Sequence, residues 1–157
     1  MILLGMAQVS LSPHLQWQSV HPNFLLVAVV AWSMLNPFPR MVSWAFLAGL
    51  LLDLFSAAPF GVFSASMVAV ATAANFWFDR FAPTAILLPV ALILPYSIGF
   101  DVVSLLLQQL LGRPVQWSGT LLQLTFSAGL LNLVVMMLFY PLFQWARQIT
   151  RRDEIEI

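Results

Sequence analysis

Two carboxylates, Asp53 and Asp101, stand inside long apolar runs, and they are the side chains with the most chemistry to offer. A charge in hydrocarbon costs several kcal/mol unless it is paired, protonated or turned toward a protein interior, so an acid kept there serves packing or function. A proton or ion path is the sharp reading of Asp53. No intramembrane Lys, Arg or His accompanies it to form a relay, which favours a structural role. Asn75 and Asn132, with Gln123, are candidates for interhelical hydrogen bonds. His14 and His21 share one short polar connection, and the chain has no cysteine. Ser, His and Asp never come together at an active-site spacing, no glycine-rich phosphate loop exists, and no acid clusters with histidine for metal binding. The residues therefore point away from an enzyme, and imply no metal and no cofactor.

What must position these groups is a set of membrane-spanning helices. Of 157 residues, 61% are hydrophobic and only 8% charged, against roughly 25% charged in soluble domains. Mean hydropathy is +0.92. Net charge is zero, which gives no basic surface for nucleic acid. Short polar or Pro/Gly breaks divide the chain into six apolar segments, about 1–12, 22–38, 41–57, 60–78, 84–111 and 119–146. The expected fold is all-α, a compact bundle of six transmembrane helices over residues 1–146, followed by a tail at 147–157. Segment 1–12 rises only about 18 Å and reads as a truncated span or an interfacial segment. Segment 84–111 carries Pro89 and Pro95. The favoured reading is a kinked span ending near Ser104, then an amphipathic turn from Leu105 to Leu111; one long tilted helix is the alternative.

Arginine sets the orientation. Arg40, Arg80, Arg147, Arg151 and Arg152 fall in the second and fourth connections and the tail, with Arg113 alone on the other side. Six spans with both termini in the cytoplasm satisfy this asymmetry. Trp44, Trp77 and Trp145 then mark the inner interface, and Trp17 and Trp117 the outer one.

Asp53 lies about 20 Å along its helix from Arg40, toward the outer side. Gly49, one turn earlier on the same face, lets a neighbouring backbone approach. Pro59 ends one helix and fits the first turn of the next, and Gly61 permits unusual φ, so residues 56–61 read as a tight reversal. The Asp53 carboxylate is expected to accept hydrogen bonds from amides freed at this turn and at the start of the following helix, where the helix dipole also favours negative charge. Asp101, about 27 Å from Pro83 along its own helix, either faces Asp53 or simply sits at the outer interface, the reading preferred. Ala65, Ala69 and Ala73 repeat every fourth residue, a small-residue stripe for close helix packing inside the bundle, the commoner use, or against a partner.

The stretch from Ala45 to Ser66, in which Gly49-x-x-x-Asp53 runs into Pro59-x-Gly61, resembles the central motif of the bacterial rod shape-determining MreD family. Pro22-Asn23 resembles that family's entry to its second helix, and Asn132 with Tyr140-Pro141-Leu142 its last span. The resemblance implies a non-enzymatic protein of the cytoplasmic membrane, part of the rod complex (elongasome) that drives lateral cell-wall elongation. It implies MreC as a direct partner, RodA and a class B penicillin-binding protein in the same complex, and MreB on the cytoplasmic side. The family's six-helix arrangement is also similar to the substrate-binding S components of energy-coupling-factor vitamin transporters. That supplies the alternative function, a carrier with Asp53, Asn75, Asp101 and Asn132 lining a pocket.

Overall fold

The computed structural model describes residues 21–81, 87–115 and 118–153, and these contain five helices: α1 (Phe24–Leu35), α2 (Phe38–Phe55), α3 (Val62–Phe81), α4 (Leu87–Leu110) and α5 (Gly119–Asp153). Segment 1–12, His14, Trp17 and Trp117 lie outside the described residues. Among the described residues three helices are long and apolar enough to cross a membrane, through Phe38–Phe55, Val90–Leu110 and Gln123–Leu142. With helices as its regular elements among those residues, this strongly apolar chain is a membrane protein.

The shortest helix lies at the centre. Every residue of α1 except Trp32 is buried, and α1 packs against all four other helices. A helix apolar all round belongs inside protein. Its end is set by Asn36-Pro37-Phe38-Pro39: the residue before proline is pushed out of the helical region, and Asn36 is extended at φ −130°, ψ 153°. Pro39 then fits the first turn of α2.

Around α1 the chain runs as two hairpins. The most extensive contact is between α2 and α3, followed by α4 with α5, and α3 joins the hairpins by packing on α4. On α2 the buried residues are Met41, Ala45, Ala48, Gly49 and Asp53, one face at spacings of three and four. Aromatic pairs tie the layers: Phe63 stacks on Phe100 at 5.8 Å between α3 and α4, Phe24 meets Phe139 at 6.5 Å between α1 and α5, and Trp32 meets Trp44 at 5.5 Å between α1 and α2.

One expectation needs correction. Helix α4 does not stop near Ser104 but runs unbroken to Leu110 with Pro95 inside it, the longer alternative. No amphipathic turn lies at its end, where Leu106, Leu110 and Leu111 are exposed. The helix ends at Gly112, φ +82°, whose amide donates to Gln109 O while that of Arg113 donates to Gln108 O. This Schellman pattern requires the left-handed conformation glycine takes readily. Helix α5 runs through Pro141 to Asp153.

Candidate functional site

The site around Asp53 begins with a shortage. The first amides of a helix have no intrahelical acceptor, and they are normally served by a Ser, Thr, Asp or Asn at the N-cap. For α3 the N-cap position is Gly61, held at φ +94°, and glycine has no side chain to offer. Asp53 supplies the acceptors from the preceding helix. Its Oδ1 accepts from Phe63 N at 2.9 Å, and its Oδ2 accepts from Ser64 N at 3.1 Å and Ser64 Oγ at 2.6 Å. These are the second and third residues of α3, the pair an N-cap side chain would serve. The neighbouring amides are also engaged: Val62 N donates to Pro59 O at 3.3 Å and Ala65 N to Gly61 O at 3.0 Å. The carboxylate is 4% exposed and lies at the positive end of the α3 dipole.

The approach is possible because Gly49 removes a side chain one turn before Asp53. A Cβ built on Gly49 would lie 2.7 Å from Phe63 O and 2.7 Å from Ser64 N, and closer still to Ser64 Cα. Backbone of α2 therefore touches backbone of α3 at the residues that Asp53 holds. Within the turn, Ser56 N donates to Asp53 O at 3.4 Å, and Ser56 Oγ accepts from Ala58 N at 2.9 Å. Gly49, Asp53, Pro59 and Gly61 thus come together in one device, with Ser64 as a component that sequence reasoning missed.

The asparagines do the same work for α1. With about 18 Å of rise, this helix is too short for both its ends to reach water, and unpaired backbone groups in a bilayer cost several kcal/mol each. At its carboxyl end, Asn75 of α3 donates through Nδ2 to Ser33 O at 2.7 Å and Asn36 O at 3.0 Å, while Asn36 Nδ2 donates to Trp32 O at 3.0 Å. At its amino end, Asn23 caps α1 by accepting from Leu26 N at 3.0 Å. The amide of Asn23 in turn donates to Asn132 Oδ1 of α5 at 2.7 Å, and Asn132 Nδ2 donates to Ser97 Oγ of α4 at 3.0 Å. Three buried side chains from three different helices therefore close three helix ends.

Asp101 is not part of this arrangement. It is half-buried on α4 and takes a hydrogen bond from Thr125 of α5, whereas the Asp53 oxygens are bonded to Phe63 and Ser64. Asn75 and Asn132 sit at opposite ends of α1. Two cavities among the described residues are lined mainly by apolar side chains. A space of about 180 Å³ between α4 and α5 is lined by residues including Ile98, Val102 and Thr125, and an open apolar groove of about 510 Å³ runs between Phe46 and Leu50 of α2 and Ala65, Val68 and Ala69 of α3.

That groove locates the alanine stripe. Ala65, Ala69 and Ala73 are exposed and do not pack inside the bundle, the commoner use for such a stripe. The buried small residues of α3 are Ser64, Ser66, Ala71 and Ala74, with Met67 and Val70 buried alongside them. No group of three or more metal-ligating side chains occurs among the described residues.

The family model for rod shape-determining protein MreD matches residues 1–148, nearly the whole chain. No curated protein and no solved structure matches it, so the expected likeness to transporter S components has no support.

Proposed function

This chain belongs to the rod shape-determining protein MreD family, and from that membership we propose that it is a non-enzymatic scaffold of the rod complex. Its role is in determining rod shape. In this reading it lies in the cytoplasmic membrane with both termini in the cytoplasm, holds MreC directly, and through it supports RodA, a class B penicillin-binding protein and MreB during peptidoglycan synthesis. In this reading the chain spans the membrane six times, and the tail, residues 147–157, faces the cytoplasm.

The observation that carries the scaffold reading is the use made of the intramembrane polar groups. Asp53, Asn75 and Asn132 each spend hydrogen bonds on helix ends, and Asn132 also bonds Ser97. A vitamin carrier would need those groups free and facing one cavity, and an ion path would need them in sequence across the membrane. A bundle whose polar groups are engaged this way and whose outer surface is apolar suits a binding platform. The receiving face is the α2–α3 groove with Ala65 and Ala69, where a transmembrane helix of MreC can approach closely.

The test is copurification in nanodiscs from cell membranes, with cysteine placed at Ala69. Retention of MreC and a disulfide from Ala69→Cys to a cysteine in its transmembrane helix support the proposal. Recovery of the folded chain without MreC would refute it.

A further inference from the structure

Asp101 is the intramembrane carboxylate that the helix-end bonds leave out. Asp53 spends its two oxygens on three donors, whereas the Asp101 carboxylate takes the Thr125 hydroxyl, out of the roughly four lone-pair sites a carboxylate offers. The nearby Ser104 hydroxyl goes to the Asp101 backbone carbonyl at 2.9 Å and not to the side chain. The position is deep. Within the apolar stretch Val90–Leu110, Asp101 lies about 16 Å of helical rise from one end and about 14 Å from the other. An acid at that depth is ordinarily paired.

The chain supplies no cation to pair it. There is no lysine, and Arg40, Arg80, Arg113, Arg147, Arg151 and Arg152 all fall in connections or toward the carboxyl end. Arg113, the nearest in sequence, comes after the last residue of α4, Leu110. A second copy of the chain would bring the same arginines at the same depths, so self-association leaves Asp101 as it is.

Beside the carboxylate lies the space of about 180 Å³ between α4 and α5. Thr125 belongs to both, as the partner of Asp101 and as part of the cleft wall. Ile98 and Leu105, three residues before Asp101 and four after it, share its face of α4, and Val102 and Leu121 extend the apolar wall. All five wall residues are half-buried, so the cleft reaches the outer surface of the bundle. Apolar walls leading to an acid and a hydroxyl match a basic side chain, whose methylene stem covers apolar surface while its head seeks polar partners. The Thr125 hydroxyl, while donating to Asp101, keeps lone pairs that can accept from such a head. A lipid acyl chain could fill the walls but brings no charge to this depth.

We propose that the α4–α5 cleft receives a lysine or arginine from a transmembrane helix of a different protein, and that Asp101 pairs with its cationic head. The inference rests on the membrane reading and on a face apart from the α2–α3 groove, so it and MreC docking in that groove can fail separately.

The absence of cysteine allows a single fluorophore on Pro114→Cys of the full chain, reconstituted in phosphatidylcholine nanodiscs. Energy transfer is measured to labelled leucine/alanine transmembrane peptides that carry either lysine or methionine at their centre. The lysine peptide should bind about tenfold more tightly than the methionine peptide. That ratio should fall to near one in Asp101→Asn, which loses the charge, and in Val102→Trp, which fills the cleft and keeps the charge. Equal binding of the two peptides to the unaltered cleft would overturn the proposal, as would a lysine preference that survives either substitution. Butylammonium binding as tightly as the lysine peptide would make the cleft a site for a free small cation, and would overturn helix docking. If Asp101→Asn folds poorly, Val102→Trp decides alone.

Discussion

Replacing Gly49 by alanine adds one methyl group where there is no room for it. Ordinary contact for a Cβ begins at 3.4 Å, and this one would come closest to Ser64 Cα and lie only 2.7 Å from Phe63 O and Ser64 N. Both are backbone atoms in the first turn of α3, so no side-chain rotation relieves the clash and the two helices must separate by about 1 Å. The Asp53 hydrogen bonds, now 2.6–3.1 Å, would lengthen past the useful limit. Overpacking costs about 1–3 kcal/mol, and stranding a buried donor adds about 1–3 kcal/mol. A combined loss of about 2–6 kcal/mol is a large share of the ~5–15 kcal/mol that holds a typical domain together. Gly99→Ala is the matched control, since a Cβ there meets nothing within 4 Å and alanine gains up to about 1 kcal/mol of helix propensity over glycine. The assay is the folded fraction in nanodiscs under a detergent or thermal ramp, read by size exclusion. The same chemical change should have opposite signs at the two positions. A Gly49→Ala protein as stable as Gly99→Ala would refute the close-approach argument.

The remaining predictions concern the other members of the site. Asp53→Leu strands two backbone amides and the Ser64 hydroxyl and should destabilise by several kcal/mol, while Asp53→Asn keeps one acceptor oxygen and should lose markedly less, about 1–3 kcal/mol; equal stability of the two variants in the same ramp would remove the capping role. Asn75→Leu frees the carbonyls of Ser33 and Asn36 and should cost about 1–3 kcal/mol, with faster hydrogen exchange in the amides at the α1–α2 junction. Gly61→Ala should cost about 1–2 kcal/mol because the added Cβ meets nothing and only the positive φ is penalised; Gly61→Asn, which tolerates that conformation better, should unfold at a higher temperature than Gly61→Ala.

The reach of the sequence follows chain distance. The Asp53 device could be read because its parts lie within sixteen residues: a glycine one turn before the acid, a proline that restarts a helix and a glycine that frees φ. The partners of Asn132 and Asn75 could not, since Asn132 meets Asn23 across 109 positions and Asn75 meets Ser33 across 42. Nothing local records which helix end comes near. For the same reason α1 looked like any other span, although it is the one all the others surround. Pro95 and Pro141 lie inside the apolar segments 84–111 and 119–146, and neither ends its helix. Proline removes one hydrogen bond and would break a soluble helix, but in a bundle neighbouring groups can re-satisfy the backbone, and α4 and α5 pass through. The alanine stripe had the right spacing for packing and lies on the exposed face, because spacing defines a face without saying what it meets.

The account turns on Asp53 being a structural acceptor in a scaffold and not a proton carrier, and cell shape tests this most directly. In cells lacking their own copy, the Asp53→Asn chain is expressed and the cell aspect ratio is measured against the amount of folded protein that retains MreC. Rod shape should be restored in proportion to that folded, MreC-bound fraction. Round cells containing a full complement of folded, MreC-bound Asp53→Asn protein would contradict the account, because they would show that the lost carboxylate did something other than hold two helices together.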